Sequence, residues 1–381
     1  MADAWADFRE QMPVTRRWAY FNHAAVAPLT GPAAEAIAAW LKSAVEQGGN
    51  DWLAWNQQLA KVRELAAGLV NAGRDEIALV HSTTEGISLV AEGLPWREGE
   101  NVVTLADEFP SNLYPWMNLA SRGVETRRVP TDRGRVDFEA FEAACDGKTR
   151  IISMSWIGYA LGWRHDIARA AELAHRHGAL FFLDAIQGLG AFPLDVQAAG
   201  IDFFAADGHK WMLGPEGAGL LYVRREHLDR LRPLGVGWNS VVHSNQYDRI
   251  ELKLKPSAER YEGGSPNSVG FIGLHHSLGL LARYGLAAIG ERILEVTDLA
   301  CEKLARAGAE IVTRRDEPDR RSGIVAFDWP GHDPQAVRRH CLTLDVVLGC
   351  RAGHLRISPH AYCNEQDLDR LVDALRSSGE G

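Results

Sequence analysis

Between residues 74 and 223, short apolar runs alternate with segments of helical periodicity, and this alternation restricts the fold more than any other feature of the chain. Ile77-Ala78-Leu79-Val80, Val102-Val103-Thr104-Leu105 and the runs 150–155, 179–183, 201–206 and 219–223 read as strands. Residues 166–177 read as a helix that Gly178 stops. Apolar runs without in-and-out alternation belong to parallel sheets covered by helices, so a βαβ series and an α/β fold are expected. After Val269 the pattern changes to long helices, about 270–284 and 286–307, then a strand, a helix and a helical tail over 365–376. Single cores stop growing near ~250–300 residues. Two units are therefore expected, a large domain over 21–284 and a smaller α+β domain over 285–381 that residues 1–20 join.

Charge narrows the partners. The formal net charge is −9 and no basic stripe interrupts the mixture of signs, so neither nucleic acid nor an anionic membrane surface is an expected partner. The start, Met1-Ala2-Asp3-Ala4-Trp5, is neither basic nor apolar. No run approaches the ~18 apolar residues of a membrane span, and a cytoplasmic location is expected. Five cysteines, Cys145, Cys301, Cys341, Cys350 and Cys363, include no C-x-x-C pair. Free thiols are expected, with no disulfide framework and no metal site.

In open parallel sheets, ligands bind beyond the carboxyl ends of the strands. Four such ends carry chemistry. After 77–80 comes His81-Ser82-Thr83-Thr84-Glu85-Gly86, a capping sequence whose hydroxyls and N–H groups suit an anion. After 102–105 comes Asp107-Glu108-Phe109, which puts an aromatic ring at the same edge. Asp184 follows a wholly apolar strand, with Gln187 one helical turn on, and a carboxylate there is costly unless a cation meets it. The fourth end is Asp207-Gly208-His209-Lys210-Trp211. Pyridoxal 5'-phosphate (PLP) accounts for all four together: it needs an amine for its aldehyde, a carboxylate at its pyridine nitrogen, a phosphate cradle and a flat surface against its ring. Lys210 and Asp184 are the expected catalytic pair.

These residues resemble those of the class V aminotransferase family, the fold-type I PLP enzymes that include cysteine desulfurases, kynureninase and isopenicillin N epimerase-like proteins. The resemblance runs from residues 20–29 to 355–360 and is most specific in Leu183-Asp184-Ala185-Ile186-Gln187-Gly188, Asp207-Gly208-His209-Lys210-Trp211 and Gly214-Pro215-Glu216-Gly217. It implies a large domain with a mostly parallel seven-stranded sheet between helices. It implies that Lys210 holds PLP through a Schiff base, that Asp184 pairs with the ring nitrogen and that Gln187 bonds the ring oxygen. Thr83, Thr84 and His209 are implied as phosphate contacts, and Phe109 as the ring that stacks on the cofactor. Arg356 is implied as the substrate-carboxylate arginine, with Asn22 and His23 over the substrate. Ser265 is implied to reach a neighbouring subunit's phosphate, which makes the active sites part of a homodimer interface.

The motifs fix the cofactor better than the reaction. Desulfurases carry a nucleophilic cysteine on a loop before the substrate arginine, whereas Arg351-Ala352-Gly353-His354-Leu355-Arg356 runs straight into that arginine without one. Trp156 and Trp163 flank a segment where relatives place substrate-facing residues, and they either shape the pocket or belong to the core. An aminotransferase-like enzyme acting at Cα of a small amino acid or carboxylate-bearing amine is therefore expected first. A C–S or Cβ lyase comes second and an epimerase third. A non-catalytic PLP-holding partner is the alternative of another class. No G-x-G-x-x-G follows a strand, which argues against a dinucleotide oxidoreductase.

Overall fold

The computed structural model describes residues 2–378, so Met1 and residues 379–381, at the outer limits of the two expected end segments, lie outside it. Seven strands form one sheet: β1 (Ile77–Val80), β2 (Asn101–Leu105), β3 (Glu125–Val129), β4 (Thr149–Ser155), β5 (Leu180–Asp184), β6 (Phe203–Asp207) and β7 (Gly219–Val223). Their spatial order is β1-β7-β6-β5-β4-β2-β3. Every pairing is parallel except those of β7, which runs antiparallel to β1 and β6. The cause lies in the connection: a parallel crossover takes a dozen or more residues and usually a helix, and the short segment 208–218 contains none.

Strands β1, β5, β6 and β7 are buried throughout, as their unbroken apolar runs require. The seventh strand is the one the apolar pattern passes over. In β3, Glu-Thr-Arg-Arg-Val, only Val129 is buried, the composition of an edge strand that must not recruit another. The helix Thr83–Gly93 packs tightly on the sheet at Gly86, where a Cβ would stand 2.6 Å from that of Ala205. The helix Ile167–Arg176 is capped by Asp166, whose side chain accepts the Arg169 N–H, and the chain leaves it through Gly178 at φ +69°.

Beyond the helices Ser268–Tyr284 and Leu286–Arg306 lies a second, antiparallel sheet of Glu310–Ile311, Val325–Asp328, His354–Ile357 and Gly349–Arg351, in that order. The first residues of the chain pack here. Arg9 makes a two-pronged ion pair with Asp367 at 2.6 and 3.0 Å, and Ala19 and Tyr20 pair in parallel with Val346 and Val347. Arg351 and His354 face each other across a two-residue turn, Ala352 and Gly353, both with positive φ (+50° and +85°). Among the described residues, no helix is long and apolar enough to cross a membrane.

Candidate active site

Asp184 and Asp207 are the last residues of β5 and β6, which run one residue past the apolar runs, and the segments after them turn into a common cavity of about 260 Å³. The cavity brings together Thr83, Thr84, Phe109, Asp184, Gln187, His209, Lys210 and Arg356 from four strand ends and the second sheet. Asn22, His23 and Ser265 do not line it. Asn22 supports Arg356 from behind through its Oδ1. His23 is fully buried, with Nδ1 2.7 Å from the Ser358 carbonyl and Nε2 2.7 Å from the Tyr362 hydroxyl. Burial drives its pKa well below the usual imidazole value, so the ring ties residues 22–26 to the second sheet instead of facing the cavity. Ser265 is exposed on the surface.

At the sheet end of the cavity, Lys210 is 9% exposed and makes no ion pair among the described residues. Burial lowers its ammonium to about 8, opposed by the Asp184 charge and helped by that of Arg356. Burial raises the Asp184 carboxyl to about 6, against the Ile186 N–H at 3.1 Å and the Lys210 charge, and no cation pairs with it directly. The Gln187 amide is locked: Nε2 donates to the Ala24 carbonyl and Oε1 accepts from Trp211 Nε1, both at 3.0 Å, which leaves one N–H to spend. Ser82 caps the helix by accepting the Glu85 N–H at 3.1 Å, and Thr83 Oγ1 accepts the Asp207 N–H at 2.9 Å, so the Thr83 hydroxyl proton stays available to the cavity. Thr84 donates to Ser111 Oγ at 2.8 Å. His209 Nδ1 lies 3.0 Å from Asp207 Oδ2 but off the line of a hydrogen bond, so this buried nitrogen lacks an aligned partner. The Phe109 ring is 41% exposed, with Lys210 Nζ 5.6 Å from its centroid. A depressed lysine, a buried carboxylate with an unspent oxygen, a capped helix start with a spare hydroxyl and an open aromatic face fit PLP and its phosphate.

The opposite end is built around Arg356, which is 1% exposed. Nη1 donates to the Tyr159 carbonyl and Nη2 to Asn22 Oδ1 at 3.4 Å, while Nε has no partner. Burial lowers its pKa to about 9, and the neighbouring Arg351 charge adds to the shift. No carboxylate pairs with it among the described residues, and a buried charge without its counterion is unstable, so this guanidinium is shaped for an anion from outside.

Besides Arg351, which also lines the cavity, three residues escape the sequence reading. Tyr159 lines the cavity with its ring edge-on to Phe109 at 5.2 Å. It belongs to the segment flanked by Trp156 and Trp163, which are each 5% exposed and lie in the core. Trp211 orients Gln187. Glu108 is buried behind Phe109, where Oε1 accepts the Ser155 N–H at 2.6 Å and Oε2 meets Ser155 Oγ. Burial raises its carboxyl to about 8, partly offset by Ser155, and the Asp184 charge pushes the same way as burial. The available signal was a carboxylate directly before the aromatic residue at a strand end.

None of the five cysteines lines the cavity. Cys350 comes nearest in sequence, but along its strand Gly349 and Arg351 share the face of Arg356, so the thiol between them points the other way.

A lysine, an aspartate and an anion cradle at the strand ends of this sheet define a PLP-dependent enzyme of fold type I. The chain belongs to the aminotransferase class-V family, whose model matches residues 19–371. It is 33% identical to a probable cysteine desulfurase of Methanothermobacter thermautotrophicus, over 97% of this chain and 96% of that one. The apo cysteine desulfurase of Thermococcus onnurineus superposes with a TM-score of 0.88 at 26% identity, covering 98% of this chain and 97% of that one. A variant of the protein called C-DES, with glycine covalently linked to its PLP cofactor, shares the fold at a TM-score of 0.90 and 23% identity, covering 96% and 98%. The cofactor of this chain is pyridoxal 5'-phosphate.

Proposed function

We propose that this protein is a PLP-dependent C–S lyase that removes the Cα proton of a small sulfur-bearing amino acid and expels the sulfur from Cβ by elimination. This reverses the order given above, in which transamination came first. Relatives of nearly the same length are named cysteine desulfurases, which favours chemistry at sulfur. The observation that carries the reading is the cavity lining: it holds a carboxylate-binding arginine and a lysine base but no thiol, so sulfur has no protein nucleophile to receive it. Where desulfurases carry their cysteine loop, this chain has only the two-residue turn at Ala352 and Gly353.

Once bound, the cofactor supplies the electron sink beside Cα. Arg356 anchors the substrate carboxylate, which removes the unpaired buried charge and fixes the orientation of Cα. Lys210, with its pKa near 8, is partly neutral at physiological pH and takes the Cα proton at Nζ. Asp184 keeps a negative charge at the ring nitrogen. Phe109 and Tyr159, packed edge to face, give the same cavity an aromatic wall.

The test is product analysis of the holoenzyme with cysteine, cystine and S-alkyl cysteines. Pyruvate, ammonia and a sulfur species in equal amounts are expected. Alanine as the carbon product would point to persulfide-forming desulfuration, and amino transfer to an added keto acid would restore the transaminase reading.

A homodimer is part of the proposal. Ile250 is 94% exposed, Leu252 77% and Tyr247 69%, an apolar surface that a solitary chain seldom presents, and Ser265 is also exposed. Light scattering that gives the monomer mass for the holoenzyme would refute it.

A further inference from the structure

We propose that Arg351 is a second anion-binding residue of the cavity, so that the substrate carries a negative group beyond its α-carboxylate. The inference deepens the lyase reading by naming the class of substrate. Arg351 lines the same cavity as Arg356. The pairing of Gly349 with Arg356 and of Arg351 with His354 puts both guanidinium-bearing residues on one face of the hairpin, with the side-chain-free Gly349 between them. A Cβ at Gly349 would stand 2.9 Å from Asn22 Oδ1, so that space is already used to seat Arg356. The two-residue turn holds Arg351 at the strand end, where its Nη1 reaches only the Cys350 carbonyl at 2.8 Å.

Arg351 is exposed at the mouth of the cavity, where water solvates it, and it pairs with no carboxylate among the described residues, so its guanidinium is free for a ligand that enters. The carboxylate on the same face, Asp328, is taken by His354 Nδ1 at 2.7 Å. Asp184 and Asp207 stand at the ends of β5 and β6, where Asp184 accepts the Ile186 N–H and Asp207 accepts the Gly208 N–H at 2.7 Å, and neither makes an ion pair with Arg351. One monocarboxylate satisfies Arg356 and leaves the exposed Arg351 to water. A ligand with two anionic ends satisfies both, and an amino acid whose sulfur bears an acidic tail, or a disulfide of two cysteines, has that form.

Binding of unreactive acids tests this without any bond cleavage. Succinate, glutarate and adipate are titrated into the holoenzyme against butyrate, pentanoate and hexanoate, and affinity is read by calorimetry and by the cofactor absorbance. The best dicarboxylate is expected to bind roughly 5- to 20-fold tighter than its monocarboxylate match, the scale of one added, partly screened charge pair. In Arg351→Gln that ratio should fall below about 2-fold, and Arg351→Lys should keep part of it. Equal affinities in the unaltered protein, or an undiminished ratio in Arg351→Gln, would overturn the assignment. A protein that prefers dicarboxylates yet releases no sulfur would lose the lyase reading and keep this one.

Discussion

The two ends of the cavity are prepared differently. At the sheet end most polar atoms already have a protein partner: Trp211 and Ala24 hold Gln187, Ile186 holds Asp184, and Thr83 is held against β6. At the hairpin end two guanidinium groups face the same space with no carboxylate between them. The first end is preorganised for a group that stays, and the second is completed by a group that comes and goes. Variants should therefore damage the two ends in different kinetic constants.

The largest effect belongs to Lys210→Ala. Removing the amine removes both the covalent hold on the cofactor and the Cα base, so turnover should fall by at least about 10³-fold. Borohydride reduction followed by mass spectrometry should find no PLP fixed to the variant, while circular dichroism shows the fold intact. PLP still fixed at normal stoichiometry would move the attachment to another lysine.

Asp184→Ala and Arg356→Gln then set the ends against each other. Without the Asp184 carboxylate, kcat should drop by roughly 10²-fold with KM little changed, because the substrate's anchor is untouched. Arg356→Gln should instead raise KM for amino-acid substrates by roughly 30- to 100-fold, the worth of a charge-assisted hydrogen bond in a buried site, with a smaller loss in kcat. Steady-state kinetics on both variants decide it. Equal kcat losses without a change in KM would erase the distinction between the two ends.

That distinction also marks what was legible in the chain. The sheet end is written in nearly continuous segments, Asp184 with Gln187 and Asp207 with Lys210, because a strand and the turn after it place several groups at once. The hairpin end is assembled from residues near 22, 159 and 351–356, and only tertiary packing brings these together. Arg356 was readable because its motif stands alone. Tyr159 and Arg351 were not, since nothing local separates a cavity-lining tyrosine or arginine from a surface one. His23 misled for a related reason: its neighbours Ala24 and Ala25 line the cavity, but the histidine side chain points away into the Ser358 and Tyr362 bonds. The polar strand β3 lay outside the reach of apolar patterning, because an edge strand owes its stability to one neighbour and its composition to solvent.

The smallest expected effect concerns Glu108, and it sharpens the contrast from the sheet end. Its folded-state carboxyl is raised from 4.5 to about 8, so the folded chain holds this proton more tightly than the unfolded one. The stability it contributes is complete below its unfolded value and is lost as pH rises through about 8. Asp184 behaves alike with a folded value of about 6, so its contribution fades at lower pH. Lys210, lowered to about 8, has the opposite sign: its contribution is present above its unfolded value of 10.5 and is lost as pH falls toward 8. Comparison with Glu108→Gln isolates the limb that belongs to this carboxyl, because on the alkaline side the thiols that burial raises, Cys145 and Cys341 among them, act against Lys210. In Glu108→Gln the loss of Tm between pH 6 and 8, taken relative to the unaltered cofactor-free protein, should be smaller by a few degrees. Differential scanning calorimetry of both proteins across pH 5–9 reads that difference. A difference that does not change with pH would mean that burial does not hold the Glu108 proton in the folded chain.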